Sequence, residues 1–394
     1  MTTVFEETFP YKRYSLPDSP IAYFERAQAF RPQIVERVLR VPADEARLLR
    51  TDSVVSRTSR REFLNHFPLH YLNPENQPRR AVVISTPQGA YNSINVLPDV
   101  FTEDARVRDI GAYQTISPYD YWLAHHEEIK ERAPTLHAQR ELLWKTGPKE
   151  ARQGKITNYL TLFSILKSRI VLDPSAAWGD RLIAALASPT VEAYTGVDPH
   201  SRLPAGWREI LDAFCPLAEK ECSERFVMLN EPFEPVDATP LPEGMGNYDT
   251  VLVSTAPLVG DKYDAGNPDQ AVAKYGSSLK GYVLGFLIPY LKRCIAALSV
   301  GGYLCMTVLD RAREGYHITE LQLLLAELLM GGVMKYRGVI WWEGDAGGLV
   351  PWWIFVKQAH SISTMRMAGA MHLFSPYSAM LGLNKNATPV LDED

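Results

Sequence analysis

Cysteine is scarce in this chain. Only Cys215, Cys222, Cys294 and Cys305 occur in 394 residues, with no C-x-x-C pair and no neighbouring histidine cluster. That excludes a disulfide-stapled scaffold and a zinc centre, so no metal is expected; the four read as ordinary buried or half-buried thiols in a reducing compartment. Long apolar runs are missing too. The most apolar stretch, Val283 to Leu291, is closed by Lys292 and Arg293, well short of the ~18–20 residues a membrane span needs. The opening Met1-Thr2-Thr3-Val4-Phe5-Glu6-Glu7 has neither a basic nor an apolar segment, so no secretory signal is read and a cytoplasmic or nuclear location is expected. Positive charge is not in excess: 41 Lys and Arg stand against 46 Asp and Glu, net −5. A wholly basic nucleic-acid surface is excluded, although a local patch is not. There is no internal repeat and no G-x-G-x-x-G, which argues against a dinucleotide-dependent oxidoreductase. What remains, 46% hydrophobic and 22% charged residues, is the composition of a soluble globular chain with one large or two ordinary domains.

Along the chain, Pro10, Pro17 and Pro20 mark an extended arm. Ile21 to Leu39 has helical apolar spacing, and Ala43 to Leu49 continues as a short helix. Arg47, Arg50, Arg57, Arg60 and Arg61 form a candidate phosphate-contacting patch, but Asp44, Glu45, Asp52 and Glu62 balance it as a solvated face. Arg80 to Ser85 is a β-branched strand ended by Thr86-Pro87-Gln88-Gly89. Ser117 caps a helix to Arg132, with Pro118 in its first turn. His125 and His126 are adjacent, so they point to different sides and have no partner at metal-ligand spacing. The Gly-, Pro- and charge-rich stretch from Lys145 to Lys155 is the candidate domain boundary. An amphipathic helix from Asn158 to Lys167 follows. Strands are then expected near 170–173, 193–197, 225–229, 249–253, 302–308, 334–341 and 351–356, with helices near 181–187, 206–214, 278–297 and 317–330. This alternation demands a mostly parallel α/β sheet. The Ser-, Met- and Ala-rich residues 359–394 are a tail ending in Asp392-Glu393-Asp394.

The chain is organised around Ile170-Val171-Leu172-Asp173-Pro174-Ser175-Ala176-Ala177-Trp178-Gly179-Asp180-Arg181-Leu182-Ile183. A short buried strand meets a small-residue turn and then a helix. Small residues let backbone approach a ligand closely, and the helix start offers free N–H groups; close packing alone accounts for the same residues. Asp173 at the strand end can accept a hydrogen bond from a ligand amine. Ala193-Tyr194-Thr195-Gly196-Val197-Asp198-Pro199 reads as a second strand ending in an acid, roughly 20–25 residues on, where an acidic side chain meets a ribose diol.

On these residues the chain resembles the S-adenosylmethionine-binding half of class I methyltransferases. The likeness is to the DNA amino-methyltransferase-like proteins of large DNA viruses and phages, with their pattern DPSAGWGDRL … YxGxDP. It covers about residues 155–357, and extends weakly upstream through Asn95 to Arg106 and Ser117 to Trp122. It implies a Rossmann-like seven-stranded sheet over residues 151–358, mostly parallel with the last strand antiparallel, behind an N-terminal α+β accessory region of residues 1–150. It also implies that Ser175 to Asp180, with Ala177, Trp178 and Gly179, wraps the methionine part of S-adenosylmethionine, and that Asp198 takes the ribose hydroxyls. After the third strand, Asn230 or Glu231 would accept from the adenine amine and Phe233 would cover its face; a strand-end loop with a buried Phe is the plainer alternative. One departure is Ala177 where the family has Gly. A Cβ at positive φ costs on the order of 1 kcal/mol and obstructs a ligand.

The fourth strand, Tyr248 to Ser254, runs in the family into an SPPYFDxExY segment. There a polar side chain and a carbonyl draw the hydrogens of an exocyclic amine, and an aromatic stacks on the flipped base. Here the segment reads Ser254-Thr255-Ala256-Pro257-Leu258-Val259-Gly260-Asp261-Lys262-Tyr263. Ser254 and Tyr263 are kept; Pro257 replaces the stacking aromatic. Two readings follow. In one, the chain is an active methyltransferase with an altered acceptor, in which Ser254 and Asp261 orient the nucleophile; nucleic acid is one candidate partner, and the target need not be a base. In the other it is a retired methyltransferase that serves other proteins as a structural or binding component of a larger assembly or a viral particle. Trp341-Trp342 and Trp352-Trp353 pair across the last two strands, where core packing takes alternate members.

Overall fold

A computed structural model describes residues 9–32, 34–39, 79–84, 93–111, 114–151, 153–234, 248–254, 262–276, 281–307, 333–343 and 349–359. In chain order these form α1 (Pro20–Gln28), β1 (Ile34–Leu39), β2 (Arg79–Ile84), α2 (Leu97–Val107), α3 (Pro118–Arg132), α4 (Leu136–Thr146), α5 (Ile156–Leu166), β3 (Ile170–Asp173), α6 (Asp180–Ala187) and β4 (Ala193–Val197). There follow α7 (Pro204–Ala218), α8 (Cys222–Arg225), β5 (Phe226–Leu229), β6 (Tyr248–Val253), α9 (Ala271–Tyr275), a π-turn (Tyr282–Leu287), α10 (Ile288–Ala297), β7 (Leu298–Met306), β8 (Met334–Glu343) and β9 (Leu349–Lys357).

All nine strands join one sheet in the order β1-β2-β8-β9-β7-β6-β3-β4-β5. Strands β3 to β7 are mutually parallel, and β9 runs antiparallel to both β7 and β8. The seven expected strands are therefore all present, in a Rossmann-like sheet with its last strand reversed. Chain order turns back on either side of β3: one path leads through β4 to β5, the other through β6 to β7. That switch leaves a crevice at the carboxyl ends of β3 and β6, where open α/β sheets bind ligands.

Residues 1–150 do not stand apart from this sheet. β1 and β2 pair antiparallel, and β2 runs parallel to β8. Ile21 to Leu39 is not one helix: α1 ends at Gln28 and Ile34–Leu39 is a strand. Pro32 lacks the N–H a helix needs, and Ile34, Val35 and Val38 favour an extended backbone that β2 can pair. Phe24 of α1 stacks on Phe214 of α7 with centroids 4.3 Å apart, so the N-terminal helix shares the sheet domain's core. Local signals hold where they are strongest: Ser117 Oγ accepts the Asp120 N–H at 3.0 Å, capping α3.

A buried ion network ties the N-terminal helices to the segment between α4 and α5. Lys12 meets Asp99 at 2.7 Å, Arg106 meets both Asp99 and Glu150, and Arg140 meets Glu150 and, at 2.9 Å, Glu103. Three cations face three anions, so little net charge is buried. Burial pushes the Glu103 carboxyl up to about 7, against the pull of Arg140. Glu150 is also raised by burial, but Arg106 leads Lys12 and Arg140 in overriding it, and its pKa falls well below the ordinary value.

One expectation about cysteine fails. Cys215 and Cys222 form a disulfide, with Cα atoms 5.9 Å apart. Glu219 at φ 53° reverses the chain after α7 and brings the two Cα atoms within bonding range; a C-x6-C spacing alone carries no such signal. Cys294 and Cys305 are free and buried.

Candidate functional site

The crevice is built by the elbow between β3 and α6. Two residues of the elbow adopt the left-handed region, Ala177 at φ 43° and Gly179 at φ 85°. At Gly179 a Cβ would lie 2.6 Å from Ile210 Cδ1, so that position requires glycine. At Ala177 the chain tolerates a Cβ under strain, the departure the sequence raised. The elbow is pinned from β4. Ala176 N–H donates to the Val197 carbonyl at 3.0 Å, and Ala177 N–H donates to Asp198 Oδ2 at 3.0 Å. Trp207 Nε1 of α7 holds the Ala177 carbonyl at 2.9 Å.

Asp198 sits just beyond β4. Its Oδ1 accepts the His200 N–H at 3.0 Å, and its Oδ2 the Ala177 N–H. Each oxygen keeps a lone pair that a hydroxyl can fill. Burial raises its pKa, a nearby His200 and the two backbone N–H groups opposing. Asp173, expected to meet a ligand amine, is turned inward instead. It is fully buried, with Arg181 NH1 on Oδ1 and the Tyr194 hydroxyl on Oδ2, each at 2.6 Å. Arg181 and Tyr194 stand in the family-like pattern, but the sequence assigns them no role. Nothing in a strand's local pattern tells that a Tyr twenty-one residues on will reach across to the neighbouring strand.

The other expected residues fall around this centre. Ser175 Oγ hydrogen-bonds the hydroxyl of buried Tyr290 at 2.7 Å. Trp178 is buried, edge-on to His200 at 5.5 Å and to Tyr263 at 5.9 Å. Asp180 opens α6 and is 1% exposed; burial raises its carboxyl to about 6. Asn230 donates to the carbonyls of Asp198 and His200 at 2.9 and 3.0 Å, closing the turn after β5 against the turn after β4. Glu231 is half-buried. Phe233 is buried, edge-on to Tyr290 at 5.4 Å and beneath the Arg293 guanidinium at 4.6 Å. Ser254 lies at the end of β6, half-buried, on the same sheet edge. Pro257 and Asp261 fall outside the described residues, as do the arginine patch at 47–61, the helices expected at 43–49 and 317–330, and residues 360–394.

A second polar cluster, also unforeseen, braces this centre. His200 Nε2 is 3.0 Å from buried Asp109 Oδ2. Asp264, after β6, accepts from the Ser201 N–H and hydroxyl at 2.7 and 2.6 Å and from Asn267 at 2.9 Å, while its own N–H donates to Asp109 at 3.0 Å. Burial alone would lower the His200 pKa, but the bond to Asp109 outweighs it and the pKa is raised. The loop carrying Asp198 is thus tied to the end of α2 and to the segment that follows β6. Among the described residues no group of His, Cys, Asp and Glu could hold a metal ion, and no helix is long and apolar enough to cross a membrane.

No family model and no curated protein matches the sequence. Among solved structures, the chain is similar to the N-methyltransferase NodS from Bradyrhizobium japonicum WM9, at 11% identity over 52% of this chain and 94% of that one, with a TM-score of 0.33. It is similar to a putative rRNA-methylase from Clostridium thermocellum, at 10% identity over 54% and 99%, TM-score 0.35. A third is the 1,6-didemethyltoxoflavin-N1-methyltransferase from Burkholderia thailandensis, solved with S-adenosylhomocysteine, at 16% identity over 64% and 95%, TM-score 0.34. Overlaps this slight bear on neither acceptor nor mechanism.

Proposed function

We propose that this chain is a class I methyltransferase-like protein that holds S-adenosylmethionine over the elbow between β3 and α6. The observation that carries the reading is the Ala177–Asp198 hydrogen bond. It brings a small-residue turn and a strand-end carboxylate together at the switch point of a parallel sheet, the placement a nucleoside ligand requires. The donor set fits the group. Asp198 has lone pairs for two ribose hydroxyls, and the elbow presents backbone rather than bulky side chains to the ligand.

When bound, the sulfonium would supply an electrophilic methyl group. The protein's part is then positional. Asp198 orients the sugar, the Asp109–His200–Asp264 cluster keeps the Asp198 loop in register, and Ser254 at the end of β6 offers an oxygen that accepts a hydrogen from the nucleophile. An exocyclic amine of nucleic acid is one acceptor to test, and Pro257 in place of the stacking aromatic weighs against a flipped base.

A second reading, a retired homologue kept as a binding component of a larger assembly or particle, is favoured by one observation: Asp173 is spent on Arg181 and Tyr194. Calorimetric titration with S-adenosylmethionine and S-adenosylhomocysteine, followed by incubation of labelled cofactor with DNA, RNA and protein, separates the two. Binding with transfer of label to nucleic acid supports the enzyme. Binding without transfer supports the retired homologue. No heat at millimolar ligand overturns the enzyme reading and leaves only a retired homologue that has lost its cofactor.

A further inference from the structure

The four cysteines are not alike. Cys294 and Cys305 are free and fully buried, and burial pushes both thiols up. Cys215 and Cys222 are half-buried and bonded to each other, and solvent-accessible disulfides are the ones that thiols reduce. Their bond fastens a turn that the local sequence resists. Pro216 stands in the last turn of α7 and has no N–H for the Asp212 carbonyl. Glu219, which ends the helix, sits in the left-handed region at φ 53°, where a residue with a side chain goes only at a cost. Two other contacts hold the turn. Gln28 Nε2, at the end of α1, donates to the Leu217 carbonyl at 3.0 Å. Lys220 Nζ donates to the carbonyls of Ala185, Ser188 and Val191 at 2.9, 2.6 and 2.6 Å.

That turn lies between elements that reach the crevice. Lys220 closes the carboxyl end of α6, whose amino end is the elbow at Gly179. α7 carries Trp207, which holds the Ala177 carbonyl, and Ile210, which lies beside Gly179. Cys222 opens α8, which runs straight into β5, and Asn230 beyond β5 holds the carbonyls of Asp198 and His200. We propose that Cys215 and Cys222 are a reversible redox site, a clasp that fixes the elbow and the Asp198 loop while oxidised and loosens them when a dithiol reduces it. In that reduction a thiolate of the dithiol attacks one Sγ and the Sγ–Sγ bond breaks, giving a mixed disulfide. The second thiolate of the reductant then displaces the cysteine. The reductant leaves as a cyclic disulfide, and its two electrons and two protons end on the Cys215 and Cys222 thiols. The turn then rests on Gln28 and Lys220, and Lys220 must cap α6 from an open loop. This inference is independent of which ligand the crevice takes.

The test compares the full-length chain before and after dithiothreitol, by iodoacetamide labelling and by hydrogen–deuterium exchange. Cys215 and Cys222 are expected to label in the native protein only after reduction, with Cys294 and Cys305 unlabelled until the chain is denatured. Oxidised glutathione is expected to restore the bond. Amides of residues 217–225 are expected to exchange about 10- to 100-fold faster in the reduced chain, the weight of closing a loop this short. Ala177 and His200, whose N–H groups Asp198 accepts, are expected to exchange at least about twofold faster, with β6 unchanged. Cys215→Ser combined with Cys222→Ser should match the reduced chain and ignore dithiothreitol. Labelling without reductant overturns the reversible site, as does labelling that needs denaturation even with dithiothreitol. Exchange that is equal in the two states overturns the clasp, and a rise at 217–225 with Ala177 and His200 unchanged overturns its hold on the crevice. A rise as large in β6 as in the turn overturns it as well, because the whole fold has then loosened.

Discussion

Asp180→Asn should move the stability of the unliganded protein in the variant's favour as pH rises. The Asp180 carboxyl has an ordinary value of 3.8 and is held at about 6 in the fold by burial. A carboxyl whose folded pKa is raised favours the protonated form in the native state. Its cost is small below 3.8, grows as pH climbs, and is complete above 6. A rise of about 2.2 at ~1.36 kcal/mol for each pH unit gives a cost of about 3 kcal/mol at pH 8. About 1 kcal/mol of it is already present at pH 4.5, from the same two values. The buried amide of the variant has its own desolvation cost, roughly 1–3 kcal/mol, but that does not titrate. The clean quantity is therefore the change with pH. Urea unfolding of both proteins at pH 4.5 and pH 8 should show the stability difference moving by about 2 kcal/mol in favour of the variant. Groups common to both, such as Glu103, cancel in the comparison. A difference that stays flat between the two pH values would refute the claim that burial outweighs Arg181 and the Tyr159 hydroxyl at Asp180. So would a difference that moves the other way.

Two further perturbations read other parts of the structure. Glu150→Gln strips the charge that Arg106, Arg140 and Lys12 share and should cost about 3–5 kcal/mol at neutral pH by urea unfolding. Because the folded Glu150 pKa is depressed below 4.5, that deficit is present above pH 4.5 and should shrink as pH falls below it; a pH-independent deficit would assign the loss to packing. Ala177→Gly relieves a Cβ at φ 43° and should raise the melting temperature or leave it unchanged, a gain of up to ~1 kcal/mol, while tightening S-adenosylhomocysteine binding in titration. Weaker binding in the glycine variant would show that the methyl group contacts the ligand favourably.

Much of the fold was legible along the chain because its signals are local. The buried run Ile170 to Leu172, the small-residue turn and the apolar face of α6 announce strand, elbow and helix within fourteen residues, and Ser117-Pro118 announces a helix start. Other features needed partners distant in sequence. Ile34–Leu39 carries helical spacing from its neighbours and becomes a strand only because β2 is there to pair with it. The Cys215–Cys222 bond depends on a left-handed residue at Glu219. The elbow's Ala177 and the acid at Asp198 could be named as candidates, but their hydrogen bond exists only because β3 and β4 lie side by side in parallel register.

By itself, then, the order of residues determined the alternation of strands and helices, the glycine-demanding turn at Gly179 and the acid beyond β4, since each follows from backbone preference and short-range periodicity. Tertiary structure alone decided which groups each acid is set against. Asp173 and Asp180 are the same side chain only seven positions apart, yet one lies against Arg181 and Tyr194 and the other against Tyr159 and the Gly154 backbone. A carboxylate's role depends on what burial and packing set beside it.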